Sequence, residues 1–152
     1  MSHDRGMRMT ARIDNRPGEH RAEVATGDAA ARAIAIPARD GAPGSGVSGG
    51  ELLLLALATC FGNDVYREAA ARGIPVDGIE VTAEADFPAA GSPASAVRYA
   101  ARVTSPAPEE VLRELLAHTD TVAEIQATVR GAIPVELTAI EVVASEPHHE
   151  RG

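Results

Sequence analysis

Two runs between residues 78 and 104 alternate apolar and polar side chains. Ile79, Val81, Ala83, Ala85 and Phe87 alternate with Glu80, Thr82, Glu84 and Asp86. Val97, Tyr99, Ala101 and Val103 share one face of the second run, with Arg98 and Arg102 on the other. A period of two is the strand period. Acidic and basic outer faces that oppose each other predict an antiparallel hairpin with cross-strand ion pairs. Residues 88–95 form its loop.

The segment before this hairpin has a different pattern. Ser48-Gly49-Gly50-Glu51 fits a capping box, with Ser at the N-cap and Glu at the third helical position. Residues 52–72 contain no Pro, Gly73 offers a left-handed cap, and Pro75 prevents resumption. A helix of roughly 24 residues, about 36 Å, is predicted. Its first half, residues 52–58, is apolar on every side, which predicts a central helix buried all round. From Asn63 on it turns charged and is expected to emerge into solvent.

Residues 8–38 read as short strands separated by turns at Asn15-Arg16-Pro17-Gly18 and Thr26-Gly27-Asp28. One strand spans residues 19–26 and another residues 33–37. Residues 40–47 form a loop. After the hairpin, Ser105-Pro106-Ala107-Pro108 opens a helix with Val111, Leu112, Leu115 and Leu116 on its inner stripe. A second short helix starts near Thr121, carries Val122, Ile125, Gln126 and Val129 on one side, and ends at Gly131. Residues 133–143 form a last strand. Strands and helices segregate, so the fold class is α+β with antiparallel pairing. A single domain over residues 8–144 is expected, with flexible termini at 1–7 and 145–152.

Composition narrows the function. The 152 residues carry 14 Lys+Arg against 22 Asp+Glu, a net charge of −8. That disfavours nucleic acid and anionic membrane surfaces. Alanine supplies 30 residues and aromatics only 3%. Small side chains bury little area each, so a partner surface is expected to complete the core. Residues 52–58 are too few to span a bilayer, and the first residues lack a signal-peptide pattern, so a cytoplasmic location is expected. No phosphate loop, calcium loop or Ser/His/Asp arrangement is recognisable, and no metal or cofactor is expected. His148 and His149 lack companions at ligand spacing and read as a solvated tail.

One cysteine, Cys60, excludes an intramolecular disulfide. In the middle of an apolar run it reads first as a small core hydrophobe. As a nucleophile it would need a nearby cation. Asp64, one helical turn on, opposes a thiolate, and Arg67 on the same side can offset it. Glu51 lies nine residues earlier and reads as the cap partner of Ser48, or as a carboxylate that positions an arginine.

The run from Ser48 through Leu52-Leu53-Leu54-Leu55-Ala56-Leu57-Ala58-Thr59-Cys60-Phe61 resembles the osmotically inducible protein C and organic hydroperoxide resistance (OsmC/Ohr) family. Arg72-Gly73-Ile74-Pro75-Val76-Asp77-Gly78 and residues 123–135 match the family's later motifs. The resemblance implies an intertwined homodimer, with strongly curved antiparallel sheets around a long buried central helix. It implies reduction of organic hydroperoxides by a peroxidatic cysteine that an Arg and a Glu assist. Cys60 falls on the peroxidatic position. Ala123 occupies the place of the resolving cysteine. The family's usual glutamate position is Gly50 here, with Glu51 one step on. Arg16, Arg32 and Arg39 are candidates for the arginine, with Arg39 preferred. The resulting expectation is a one-Cys reductase with Cys60, Glu51 and Arg39 as its catalytic residues, recycled by an external thiol. The alternative is a non-catalytic protein of this fold that binds a small apolar ligand or has a structural role.

Overall fold

The structure is a computed structural model of one chain, described for residues 6–139, 141–143 and 145. Its element order is β1 (Met9–Arg16), β2 (Glu19–Thr26), β3 (Arg32–Ile34), α1 (Gly49–Ala71), β4 (Gly78–Asp86), β5 (Ala96–Thr104), α2 (Glu109–Val122) and α3 (Glu124–Gly131). The fold is α+β, with an antiparallel β1-β2-β3 sheet and an antiparallel β4-β5 hairpin.

The hairpin is the one its alternation predicts. Glu84 pairs with Arg98 in register, and Glu80 with Arg102. Arg98 reaches Glu84 at 2.9 Å and Asp86 at 2.8 Å. The hydrogen bond from Arg98 holds the Asp86 carboxyl below its usual range. Phe87 departs from the expected alternation: β4 ends at Asp86, and the Phe87 ring turns to the first turn of α1 beside Gly50.

α1 begins and ends as its sequence dictates. Ser48 Oγ accepts the Glu51 N–H at 3.1 Å, and Glu51 Oε1 accepts the Ser48 N–H at 3.0 Å. At the other end Gly73 has φ 64°. The Ile74 N–H reaches Ala69 O at 2.9 Å and the Gly73 N–H reaches Ala70 O at 3.2 Å. This is a Schellman stop, in which a left-handed glycine satisfies the last carbonyls.

The burial of α1 corrects the expectation for its two halves. Phe61, Val65 and Ala69, in the charged half, form the core with Leu115 of α2. Ile74, Val76, Ile79, Val81, Tyr99 and Ala101 pack around them. The leucine-rich half is largely bare within the chain, and Leu55 is 60% exposed. The physical reason is the stripe: positions 61, 65 and 69 recur every four residues and give β4 and α2 one face to cover. Leu57 is buried, but Leu52, Leu53 and Leu55 of the same stretch have no such partner inside the chain.

The β1-β2-β3 sheet also leaves an apolar face bare. Met9, Ala11 and Ile13 stand opposite Thr26, Val24 and Ala22, and Ile34 pairs with Ala22. Met9, Ile13 and Ile34 are exposed. The third strand is Arg32–Ile34 rather than residues 33–37, because Pro37 has no N–H to add to a ladder.

The carboxyl-terminal part differs most from expectation. α2 runs through Val122, so the short helix starts at Glu124 rather than near Thr121, after an extended Ala123. Thr119 is buried at the end of the α2 stripe, whereas Val111 is exposed. α3 ends at Gly131 as expected, and the residue after it, Ala132, is left-handed at φ 49°. Beyond it the last strand does not form: residues 133–139 and 141–143 are irregular and exposed, with Val135 at 95%. A strand needs a neighbouring edge for its backbone hydrogen bonds, and this segment meets none among the described residues. The expected tail at 146–152, with His148 and His149, lies outside the described residues.

Candidate functional site

Cys60 sits on α1 at the boundary between its bare and buried halves, one residue before the core Phe61. It is a free thiol and only partly buried. The expected local arrangement is present. The thiol faces Asp64 Oδ2 at 3.8 Å, and Arg67 Nη1 pairs with Asp64 Oδ1 at 2.9 Å. Asp64 is buried, and its charge is balanced by a guanidinium that reaches out to solvent.

Glu51 and Arg39 lie apart from this cluster in the single chain. Glu51 stands nine residues before Cys60, about 13 Å along the helix axis. Its carboxylate is engaged in the cap, where the Ser48 backbone N–H and then its hydroxyl hold the carboxyl below its usual range. Arg39 is exposed in the β3–α1 loop, where its N–H donates to Gly44 O at 2.8 Å. Among the described residues, no ion pair joins Arg39, Arg32 or Arg16 to Glu51. Arg16 instead approaches Asp14 at 3.7 Å.

Ala123 is fully buried where α2 passes into α3. Three residues on, Gln126 Nε2 donates to Leu57 O at 2.8 Å, one turn before Cys60. Through that bond the start of α3 docks on α1 one turn before Cys60. Helical spacing puts Gln126 on the inner side of its helix but does not reveal this contact. The signal was a polar residue inside an apolar stripe, which marks a buried hydrogen bond.

A second polar cluster was not anticipated. The Tyr99 hydroxyl donates to Asp120 Oδ1, and Arg130 Nη2 donates to the same oxygen at 2.6 Å. Burial pushes the Asp120 carboxyl up, but the hydrogen bonds from Arg130 and Tyr99 outweigh it and hold it low. Burial, and then the bond to Asp120, push the Tyr99 hydroxyl up. An open groove of about 500 Å³ lies here, lined by Phe61, Val97, Tyr99, Leu116, Asp120 and Arg130 among others. Among the described residues, no three His, Cys, Asp or Glu side chains converge as metal ligands. Among them, too, no helix is long and apolar enough to cross a membrane.

The comparisons with known proteins agree with this architecture. An OsmC-like protein from Mycoplasma pneumoniae superposes with TM-score 0.60 at 16% identity, over 85% of this chain and 90% of that one. An organic hydroperoxide resistance protein OsmC from Legionella pneumophila gives 0.51 at 19% identity, over 82% and 90%. An OsmC-like hydroperoxide resistance protein from Jannaschia sp. CCS1 gives 0.51 at 16%, over 93% and 97%. At such identities the likeness is one of fold. Comparison with curated proteins by sequence gives no match. The family model described as OsmC-like protein matches residues 42–138, from the loop before α1 to the segment after α3. With its motifs, its elements and most of its length in agreement, the chain belongs to the OsmC-like family.

Proposed function

We propose that this protein is a one-cysteine, thiol-dependent reductase of organic hydroperoxides that works as a homodimer. The observation that carries the reading is Cys60: a free, partly accessible thiol on α1, beside a buried carboxylate that an arginine balances. Two of the structural neighbours are described as hydroperoxide resistance proteins, which favours this substrate class. The Cys60 sulfur attacks the outer oxygen of ROOH, the O–O bond breaks, and ROH leaves with a proton. The cysteine is left as a sulfenic acid. With alanine at position 123, an external thiol must condense with it, releasing water and forming a mixed disulfide. A second thiol then frees Cys60, so two thiols are oxidised for each hydroperoxide reduced.

The bare faces support the dimer. Leu52, Leu53 and Leu55 of the amino half of α1 and the Met9, Ile13 and Ile34 face of the β1-β2-β3 sheet are both apolar and uncovered. Ile133, Val135 and Leu137 alternate along a segment with no strand partner among the described residues. A second copy supplies cover for all three. The loop bearing Arg39 connects the bare sheet to the bare helix. Pairing those faces therefore carries its guanidinium toward a Cys60 site, where Glu51 can orient it.

Intact-mass spectrometry of the protein titrated with cumene hydroperoxide tests the reading, with Cys60→Ser as control. The expected result is rapid addition of one oxygen at Cys60, reversed by added thiol. A Cys60 that stays unmodified under excess hydroperoxide would overturn it. That outcome would favour the second reading, a non-catalytic protein holding a small apolar ligand. Two observations support that alternative: the groove over Phe61 has a volume suited to a small molecule, and the charged group that faces the sulfur is an anion.

A further inference from the structure

α3 is held by different forces from the rest of the molecule. Among the described residues, Gln126 is the only buried residue of this helix, and it is polar. Ile125 and Val129 are half-buried. The Gln126 carboxamide spends its Nε2 on Leu57 O and leaves Oε1 without a donor. It is the one buried side-chain oxygen or nitrogen among the described residues in that condition. A buried polar atom left unpaired weakens the docking that buries it. At the other end of the helix, Arg130 donates to Asp120 Oδ1 at 2.6 Å and to Asp120 O at 3.2 Å, in a half-exposed tie. Just beyond, Ala132 takes a left-handed conformation that disfavours a side chain with a Cβ. The core half of α1 and the inner face of α2 are instead held by fully buried apolar residues, Val65 and Leu115 among them.

From this contrast we infer that α3 is a latch, which opens locally from the Cys60-bearing stretch of α1 while the core stays folded. The two ties define it: Gln126 to Leu57 at its start and Arg130 to Asp120 at its end. Leu57 lies one turn before Cys60, and its carbonyl is the helical acceptor of the Phe61 N–H, the residue next to the thiol. Opening lifts Gln126 off α1 one turn before the sulfur and widens access to a thiol that is already partly accessible. The functional use of the latch rests on the reductase reading above, where an incoming thiol must take the place of the missing resolving cysteine. The motion itself does not.

Amide hydrogen exchange on the full-length protein tests the latch directly. Residues 124–131 should exchange at least about tenfold faster than residues 61–69, since local opening bypasses global unfolding. Arg130→Gln should speed exchange in 124–131 by a further factor of about three to ten, the range of a half-exposed charge-assisted bond. It should raise the rate at which Cys60 reacts with an aromatic disulfide reagent by a similar factor, and leave 61–69 unchanged. Arg113→Gln removes an exposed ion pair with Glu109 on α2 and should change neither rate. Exchange in 124–131 as slow as in 61–69 would overturn the inference. So would an Arg130→Gln variant that loosens 61–69 as well, because the tie would then belong to the core. If Cys60 proves inert to hydroperoxide while α3 exchanges as expected, the reductase reading fails and the latch stands.

Discussion

In the carboxyl half of α1, Phe61, Val65 and Ala69 are buried against β4 and α2. In the amino half, Leu52, Leu53 and Leu55 face outward on the same helix. The amino half is the more hydrophobic of the two, yet the charged half makes the core. The difference teaches that a chain buries the helix face it can match, not the helix stretch richest in leucine. An apolar stripe with a polar back fixes one orientation toward a sheet. A stretch that is apolar all round asks for cover on every side, and one small chain with few aromatics has only enough surface for one. Cys60 stands where these two regimes meet, which leaves its thiol reachable and still tied to a packed core.

The comparison breaks most sharply at the core. Phe61→Ala removes a buried ring that meets Tyr99 edge-on at 5.0 Å between centroids. It should cost about 3–5 kcal/mol, read as a lower urea midpoint. A loss no larger than that of an exposed site would mean the charged half is not the core.

The amino half gives the next largest effect. Leu55→Ser should cost about 1.5–3 kcal/mol if a second copy buries the leucine, and it should shift the mass in light scattering from dimer toward monomer at micromolar concentration. An unchanged mass together with unchanged stability would leave this face without a partner.

The smallest effect lies at the cap. Ser48→Ala should cost about 1 kcal/mol at neutral pH. Because the Glu51 carboxyl is held below its ordinary value of 4.5, its part of the cap is whole above that pH. That part is lost as the pH falls through the lower folded value. The gap between wild type and Glu51→Gln in urea unfolding should therefore narrow in acid, because the carboxylate accepts the Ser48 backbone N–H, which Ser48→Ala leaves in place. A gap that is constant with pH would mean the carboxylate does not share in the cap.

Local chemistry makes much of this fold legible in the residue order. The Ser48–Glu51 box and Gly73 mark the ends of α1 because capping depends on residues within one turn. The β4-β5 register follows from alternation and opposed charges, and the Cys60–Asp64–Arg67 cluster follows from helical spacing. Gln126 on Leu57 and Arg130 on Asp120 were not legible in the same way, because the first joins residues 69 apart and the second links two helices across a break that falls later than expected. The strand expected at 133–143 carries the right alternation, but alternation supplies no neighbouring edge.

Residue order alone set α1 with its two caps, the antiparallel hairpin and the family motifs around Cys60, since each depends on interactions between near neighbours. The tertiary structure alone decided which half of α1 is covered and how far Glu51 and Arg39 stand from the thiol. It also decided that α3 rests on two polar ties. Those outcomes depend on which surfaces one chain can bring together, and a surface shared by distant segments leaves no pattern in either.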